Sequence, residues 1–304
     1  MSNSSAAVFI GESDEFWIYV LLIALVSVLG IIANGTSMFI LFGGGRLGHA
    51  FQQICFSHCV SNSLVLLFFL FYCCPVMTSN SEWSTRSNVA KFIGGVMVGL
   101  WDVGVYSHLM TSVNRLIAIT WPLHYKRILT PKNTKLIIGG VWLMGFLHFT
   151  PYLYFSECYL IFSAHSYLWQ FAPTQCGWLL GNPFDFYPGI TVSVLIALMD
   201  LWSLYHLKKL KVGAAGQTIK KRDIMYFCQT ILQFVLFVVK KGTFYEVSQL
   251  FVSNPVANNM QLFLTTTFTW ELFHFVDGAA LIPFHIGDYL KRRQEDRQTS
   301  RTFE

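Results

Sequence analysis

Long apolar segments constrain this chain more than any other feature of its sequence. Several windows of about 20 residues are apolar on every face, whereas a helix of a soluble domain keeps one polar face. Each window is long enough to cross a hydrocarbon layer about 30 Å thick. Of the 304 residues, 54% are hydrophobic and only 12% are charged, which is more apolar surface than a single soluble core buries. The sequence therefore predicts an all-α membrane protein.

Seven such windows can be drawn, and each predicts one membrane-spanning helix. They cover residues 16–42, 51–74, 92–114, 136–155, 186–207, 223–239 and 260–284. The sixth window is the weakest, because Lys240 and Lys241 end it early and must lie at an interface. We therefore expect a seven-helix bundle over residues 16–284, with an extracellular tail before it (1–15) and a cytoplasmic basic tail after it (285–304).

The positive charges predict how this bundle is oriented. With an outer N-terminus, the inner side holds Arg46, five Lys and Arg residues in 115–135, six in 208–222 and five in the tail, which makes 17 of the 21. The outer side holds the remaining 4. Positive residues are retained in the cytoplasm, so we expect an extracellular N-terminus and a cytoplasmic C-terminus. The net charge of +5 then belongs to the cytoplasmic face and indicates no nucleic-acid partner.

Two cysteines lie in the longest predicted outer loop, residues 156–185. In an oxidising compartment Cys158 and Cys176 can pair, and closing that loop is worth about 3 kcal/mol by chain entropy. We predict this disulfide, with two unpaired thiols as the alternative. The other five cysteines fall inside windows, where they serve as small apolar packing residues. On the outer tail, Asn3-Ser4-Ser5 predicts glycosylation of Asn3, although such triplets are common by chance.

The third window ends on an arginine, in the stretch SVNRLIAITWPLHY at residues 112–125. This stretch resembles the third-helix signature of rhodopsin-like G-protein-coupled receptors, which has Asp-Arg-Tyr, Ala-Ile, Pro-Leu and Tyr at the same spacings. The matching positions are Asn114-Arg115-Leu116, Ala118-Ile119, Pro122-Leu123 and Tyr125. For a lone arginine, a side chain reaching from a helix end to the interface would be the simpler interpretation. The surrounding match favours the receptor instead.

The resemblance implies roles for the residues of this signature in activation and in coupling to a heterotrimeric G protein. Arg115 would change partners on activation and touch the G protein, and Leu123 would pack into it, with Tyr125 in the same region. Asn114 departs from the family pattern, since it stands where the family has an acid. An amide does not form a charge pair with Arg115, so we expect a resting state that is weakly latched and signals without ligand.

The seventh window narrows the resemblance to one branch of these receptors. In HFVDGAALIPFH, Asp277 stands where the family has the Asn or Asp of Asn-Pro-x-x-Tyr, but Gly278 replaces the proline. With the "NR" at Arg115 and the paired cysteines in a Trp-containing loop, this pattern resembles the nematode serpentine chemoreceptors of class X (Srx). The resemblance implies a receptor for external chemical cues in the plasma membrane of sensory neurons, including their cilia.

Carboxylates inside the windows are candidates for binding a small-molecule ligand. Asp102 precedes Arg115 by 13 residues, which places it about 20 Å further out along the helix. An intramembrane carboxylate usually faces the bundle interior or a wet cavity, although a hydrogen bond to a neighbouring helix is equally possible. Glu271, together with Trp270, is the second candidate. Glu271, His274 and Asp277 step by three, so they share one side of their helix, where they can share waters or a proton.

Other classes of protein find less support in the sequence. The chain has no His-Glu-x-x-His, no Gly-rich phosphate loop and no His and Cys cluster at metal spacing, so we expect neither an enzyme nor a cofactor or metal. A small-molecule transporter predicts internal repeats and broken helices, which this sequence lacks. A ligand-gated odorant channel of the insect type has its N-terminus inside, which the charge distribution opposes. These last two classes remain the alternatives.

Overall fold

A computed structural model of the chain describes residues 4–43, 49–79, 87–154, 156–213 and 259–301, together with 228, 231–232, 234–236, 238–239 and 242–243. Most of these residues are helical. The helices are α1 (Ser4–Phe42), α2 (Ala50–Phe68), α3 (Cys74–Ser79), α4 (Asn88–Thr120), α5 (Pro122–Ile128), α6 (Pro131–Phe149), α7 (Gln175–Leu179), α8 (Tyr187–Gly213), α9 (Asn259–Phe263) and α10 (Thr269–Arg301). Wider π turns at Phe69–Cys73, Leu180–Phe186 and Leu264–Phe268 connect α2 to α3, α7 to α8 and α9 to α10, and a 3-10 turn at Thr150–Leu153 follows α6.

Five helical segments are long and apolar enough to cross a membrane, within the part of the chain that the structure describes. They are Phe16–Phe42, Ala50–Ser79, Asn88–Thr120, Pro131–Leu153 and Gln175–Leu207. These segments match the first five predicted windows. In the sixth window the structure describes 228, 231–232, 234–236 and 238–239, all of them helical; the rest of that window lies outside the described residues, as do Lys240, Lys241 and Asn3. The seventh is helical in α9 and α10, but its polar side chains lower its mean hydropathy below that of the other five.

The ends of α4 and α6 follow from local sequence. At the start of α4, the Ser87 hydroxyl accepts a hydrogen bond from the Ala90 amide at 3.1 Å. At the start of α6, Thr130 does the same for the Asn133 amide, and Pro131 occupies the first helical position. Both arrangements satisfy amide groups that a helix N-terminus leaves without partners. The short helix α5 therefore links two well-defined long helices.

The centre of the bundle is α4, which packs against α2, α6 and α8. A glycine lets α4 and α6 come very close, because a Cβ atom at Gly145 would lie only 2.6 Å from the Gly99 carbonyl oxygen. Small residues at such a crossing are typical of helices that pack within membranes. By contrast, α6 and α8 expose large apolar side chains such as Phe146 and Leu201, as expected of a surface that contacts lipid.

A two-stranded hairpin covers the end of the bundle remote from Arg115, here called the hairpin end. Strands β1 (Leu160–Phe162) and β2 (Trp169–Phe171) pair antiparallel. Phe162 and Trp169 are buried, so the hairpin packs down onto the helices beneath it. A disulfide joins Cys158, just before β1, to Cys176 in α7. The disulfide predicted from the sequence is therefore confirmed.

Candidate functional site

Arg115 is buried near the end of α4, and its charge partner is an acid on α8. Its Nη1 atom lies 3.7 Å from Asp200 Oδ1, and the two side chains are only 5% and 1% exposed. The Ser112 hydroxyl donates a 2.6 Å hydrogen bond to the same carboxylate oxygen. A buried guanidinium needs such compensation, since its desolvation in a low-dielectric interior is expensive.

This ion pair changes the interpretation of Asn114. The sequence alone gives Arg115 no charge partner, because residue 114 is an amide. The partner is instead supplied by Asp200 on α8, so Arg115 does have a charge partner; signalling without ligand stays a prediction. The signal was present in the sequence, because an acid within a membrane-spanning window requires a partner and Arg115 is the nearest cation at that depth.

The remaining residues of the arginine signature divide into a buried contact and an exposed side chain. The Tyr125 hydroxyl in α5 donates a 3.1 Å hydrogen bond to Asn114 Oδ1. Burial raises the pKa of the Tyr125 phenol and its bond to Asn114 lowers it by a smaller amount, so the phenol stays a donor at neutral pH. Leu123 is 88% exposed. The signature thus combines a buried ion pair with an apolar side chain that is presented outward on α5.

Asp277 lies at the centre of a second buried polar cluster, made with two histidines. Its Oδ2 atom is 3.4 Å from His58 Nε2 on α2 and 3.3 Å from His108 Nε2 on α4. The two imidazole rings meet edge to face, with their centroids 4.5 Å apart. The sequence indicates Asp277 but neither histidine, because the nine histidines are scattered singly along the chain and only the fold brings these two together.

The other polar side chains of α10 turn toward different helices. Glu271 is fully buried, and the Ser27 hydroxyl on α1 donates a 2.6 Å hydrogen bond to it. His274 receives a hydrogen bond at Nε2 from the Trp270 indole at 3.1 Å and contacts Asn62 Oδ1 on α2 through Nδ1 at 2.7 Å. This pattern assigns the His274 proton to Nδ1. The acids and the histidine share a side, as predicted, but each bonds to its own partner on another helix.

Gly278 allows α1 to approach α10 closely at this level. A Cβ atom there would lie 2.5 Å from both side-chain nitrogen and oxygen atoms of Asn34. Asn34 donates to the His274 carbonyl at 3.0 Å, and Ser37 donates to the Gly278 carbonyl at 2.7 Å. The glycine that replaces the family proline therefore serves a tight, hydrogen-bonded crossing of two helices.

Trp270 belongs to an aromatic cluster beneath the hairpin, formed by Phe69, Trp101, Trp169 and Trp270. The Trp270 ring centroid lies 5.9 Å from Phe69, 6.3 Å from Trp101 and 5.6 Å from Trp169, all in edge-to-face arrangements. Edge-to-face pairs at these distances stabilise beyond the area they bury. Trp169 comes from β2, so the loop that carries the disulfide also supplies one side of this cluster. Of these four residues, only Trp270 is a ligand-binding candidate on the sequence alone.

Asp102 faces α6 and not the acids of α10. Its Oδ2 atom lies 3.0 Å from Nδ1 of His148, and Nε2 of that histidine contacts the Tyr106 hydroxyl at 3.2 Å. The ligand-binding candidates predicted from the sequence therefore have different partners. Trp270 lies in the aromatic cluster, Asp102 lies between α4 and α6, and Glu271 lies between α1 and α10.

Comparison with known proteins gives a consistent result over most of the chain. A family model described as serpentine type 7TM GPCR chemoreceptor Srx matches residues 24–285. Serpentine receptor class X 45 of Caenorhabditis elegans is 24% identical over 281 residues, which cover 87% of this chain and 78% of that protein. Serpentine receptor class X-43 of the same nematode is 22% identical over 204 residues, which cover 65% of this chain and 62% of that protein. Galanin receptor type 2 of Mus musculus is 25% identical over 154 residues, 49% of this chain and 40% of that receptor.

Proposed function

This chain belongs to the Srx family of serpentine 7TM GPCR chemoreceptors, and we propose that it binds an external small molecule and activates a heterotrimeric G protein. The family is one of receptors and not of enzymes, and membership favours a receptor over the channel and transporter alternatives. The observation that carries the proposal is the buried Arg115–Asp200 pair directly beside α5, which exposes Leu123.

The proposed topology has seven membrane-spanning helices, an extracellular N-terminus and a cytoplasmic C-terminus, in the plasma membrane of a sensory cell and its cilia. The five long apolar helices support this arrangement, as does the concentration of Lys and Arg in the inner connections. The disulfide at the hairpin end also supports it, because disulfides persist in oxidising compartments. The hairpin end then faces outward and the Arg115 end faces the cytoplasm.

In this arrangement the Arg115–Asp200 pair is the latch of the resting receptor. Arg115 leaves Asp200 on activation and turns toward the G protein, while Leu123 packs into an apolar groove of that partner. Asn114 and Tyr125 hold α5 at the correct angle to α4. Asp277 joins α10 to α2 and α4, so it couples movement of α10 to the arginine helix. Ligand binding outside shifts the population toward the unlatched arrangement.

The proposed ligand site is the region beneath the hairpin, with Trp270 as its central residue. Tryptophan faces attract cations, so the aromatic cluster suits a cationic or flat aromatic ligand. Asp102 and Glu271 are the proposed polar residues of this site. A ligand that binds them would have to replace His148 at Asp102 and Ser27 at Glu271. An acidic cue is disfavoured, because it would meet two carboxylates.

The test is nucleotide exchange by purified heterotrimeric G protein with the full chain in lipid nanodiscs. Asp200→Asn removes the charge that holds Arg115, so basal exchange should rise several-fold. Arg115→Ala should reduce exchange to the level of empty nanodiscs. Unchanged exchange in Arg115→Ala would remove the assignment of Arg115 as the switch.

Leu123 has a matched control on the lipid-facing side of α6. Leu123→Ala should lower exchange, whereas Leu136→Ala, which also truncates an exposed leucine (66% exposed), should leave it unchanged. Antibody access to an N-terminal epitope on intact cells measures surface expression of every variant. The same measurement checks the orientation, since a hidden N-terminus contradicts the proposed topology.

A further inference from the structure

We propose that His58, His108 and Asp277 form a binding site for a divalent transition-metal ion, with Zn²⁺ as the best match. The three side chains come from α2, α4 and α10, and all three are buried. The proposal goes beyond the receptor function, since a metal ion binds here whether or not the chain activates a G protein. Imidazole nitrogen and carboxylate oxygen are common ligands of zinc.

The distances between the donor atoms fit a tetrahedral ion. Zn–N bonds are about 2.0–2.1 Å long and Zn–O bonds about 2.0–2.2 Å, so two ligands of a tetrahedral site lie about 3.3–3.5 Å apart. The Asp277 carboxylate oxygen is 3.4 Å from His58 Nε2 and 3.3 Å from His108 Nε2. No donor atom of the three is more than 4.8 Å from another, so a small rotation of one imidazole ring completes the set.

Charge is the second argument for a cation at this position. Asp277 is a carboxylate in the interior of a membrane protein, where an ionised group requires a compensating positive charge. Among the described residues, the two side chains within 3.4 Å of it that could supply that charge are imidazoles, which carry one only when protonated. A divalent ion compensates the carboxylate while both histidines stay neutral, the form in which imidazole binds metal.

The site also has room for a fourth ligand. The three donor side chains line a cavity of about 20 Å³, enough for one water molecule. Asn62 and His274 line the same cavity, but Nε2 of His274 already accepts a hydrogen bond from the Trp270 indole and is not available as a ligand of the metal. Three protein ligands and one open position are typical of zinc sites that exchange their fourth ligand.

A bound ion would tie three helices together at one level of the bundle. It would connect α2, α4 and α10 about 10 Å from Arg115, since His108 precedes Arg115 by seven residues at 1.5 Å per residue. Under the proposed function, zinc would therefore oppose any activating movement of α10 against α4. This consequence rests on the receptor assignment, whereas the binding itself does not.

The experiment measures zinc retained by the purified full chain. Wild-type protein in nanodiscs is stripped with a chelator, mixed with excess Zn²⁺, passed through gel filtration in metal-free buffer and analysed by atomic absorption. We expect one zinc per chain in the wild type and background levels in His58→Ala, His108→Ala and Asp277→Asn. If the wild type retains no zinc, the proposal is overturned. That result is also expected if protons alone compensate the charge of Asp277.

His148→Ala is the matched control, because His148 also contacts a buried carboxylate, Asp102, at 3.0 Å but belongs to no described set of three such ligands. Zinc should be retained in this variant, and equal retention in all the variants of the triad would place the metal elsewhere and overturn the assignment.

A second measurement uses only the wild-type protein, so it does not depend on whether a variant folds. Co²⁺ bound to the wild type should give the visible absorption of a tetrahedral nitrogen and oxygen site, and an octahedral spectrum would contradict it.

Discussion

The two buried carboxylates Asp200 and Asp277 are compensated in different ways. Asp200 faces Arg115, whose guanidinium is positively charged under all physiological conditions. Asp277 faces His58 and His108, whose imidazoles can be neutral or charged. The first contact can change only if a helix moves, whereas the second can change when a proton or a metal ion arrives. The bundle thus contains an ion pair near the end of α4 that breaks only when a helix moves. Two turns away it contains a carboxylate whose contacts change when a proton or a metal ion binds.

Breaking the Arg115–Asp200 pair from the acid side should have the largest effect on stability. Asp200→Ala leaves a buried guanidinium that cannot lose its proton, which costs about 3–5 kcal/mol. We expect a large drop in the melting temperature of the purified protein in detergent. The double variant Arg115→Met with Asp200→Leu should melt close to the wild type, because both charges are removed. If the single variant melts like the wild type, the pair is not compensating a buried charge.

Removing the charge of Asp277 should cost less than removing that of Asp200. In Asp277→Asn the amide oxygen still accepts hydrogen bonds from the two imidazoles, which can remain neutral, so we expect a loss of about 1–2 kcal/mol. The melting temperature is measured in the presence of a chelator, so that metal binding does not contribute. A loss as large as that of Asp200→Ala would mean that both histidines are permanently charged, and the contrast between the two carboxylates would fail.

The smallest effect is expected beside the arginine, at the hydrogen bond between Tyr125 and Asn114. Tyr125→Phe removes one neutral hydrogen bond of 3.1 Å and keeps the ring, which costs about 0.5–1.5 kcal/mol. Tyr205→Phe on α8 is the control, because Tyr205 is exposed and should tolerate the change. A loss as large as that of Asp200→Ala would show that Asn114, and not Asp200, holds the end of α4 in place.

The helical architecture was largely predictable because it depends on local composition. Windows of apolar residues correspond to five long helices, and Ser87 and Thr130 mark the starts of two of them. The disulfide was also predictable, since Cys158 and Cys176 are the two cysteines outside the windows. The pairing partners of the polar side chains were not, because Glu271, His274 and Asp277 share one side of α10 and yet contact α1, α2 and α4.

The sequence by itself determined the class of this protein, its family and the arginine signature at residues 112–125, because apolar length, charge distribution and short motifs are read along the chain. Only the tertiary structure decided which groups compensate the buried charges. His58 and His108 are separated from Asp277 by 219 and 169 residues, and Asp200 lies on a different helix from Arg115. Such contacts depend on how helices cross and rotate against one another, which is set by packing at positions such as Gly145 and Gly278 and not by any local pattern.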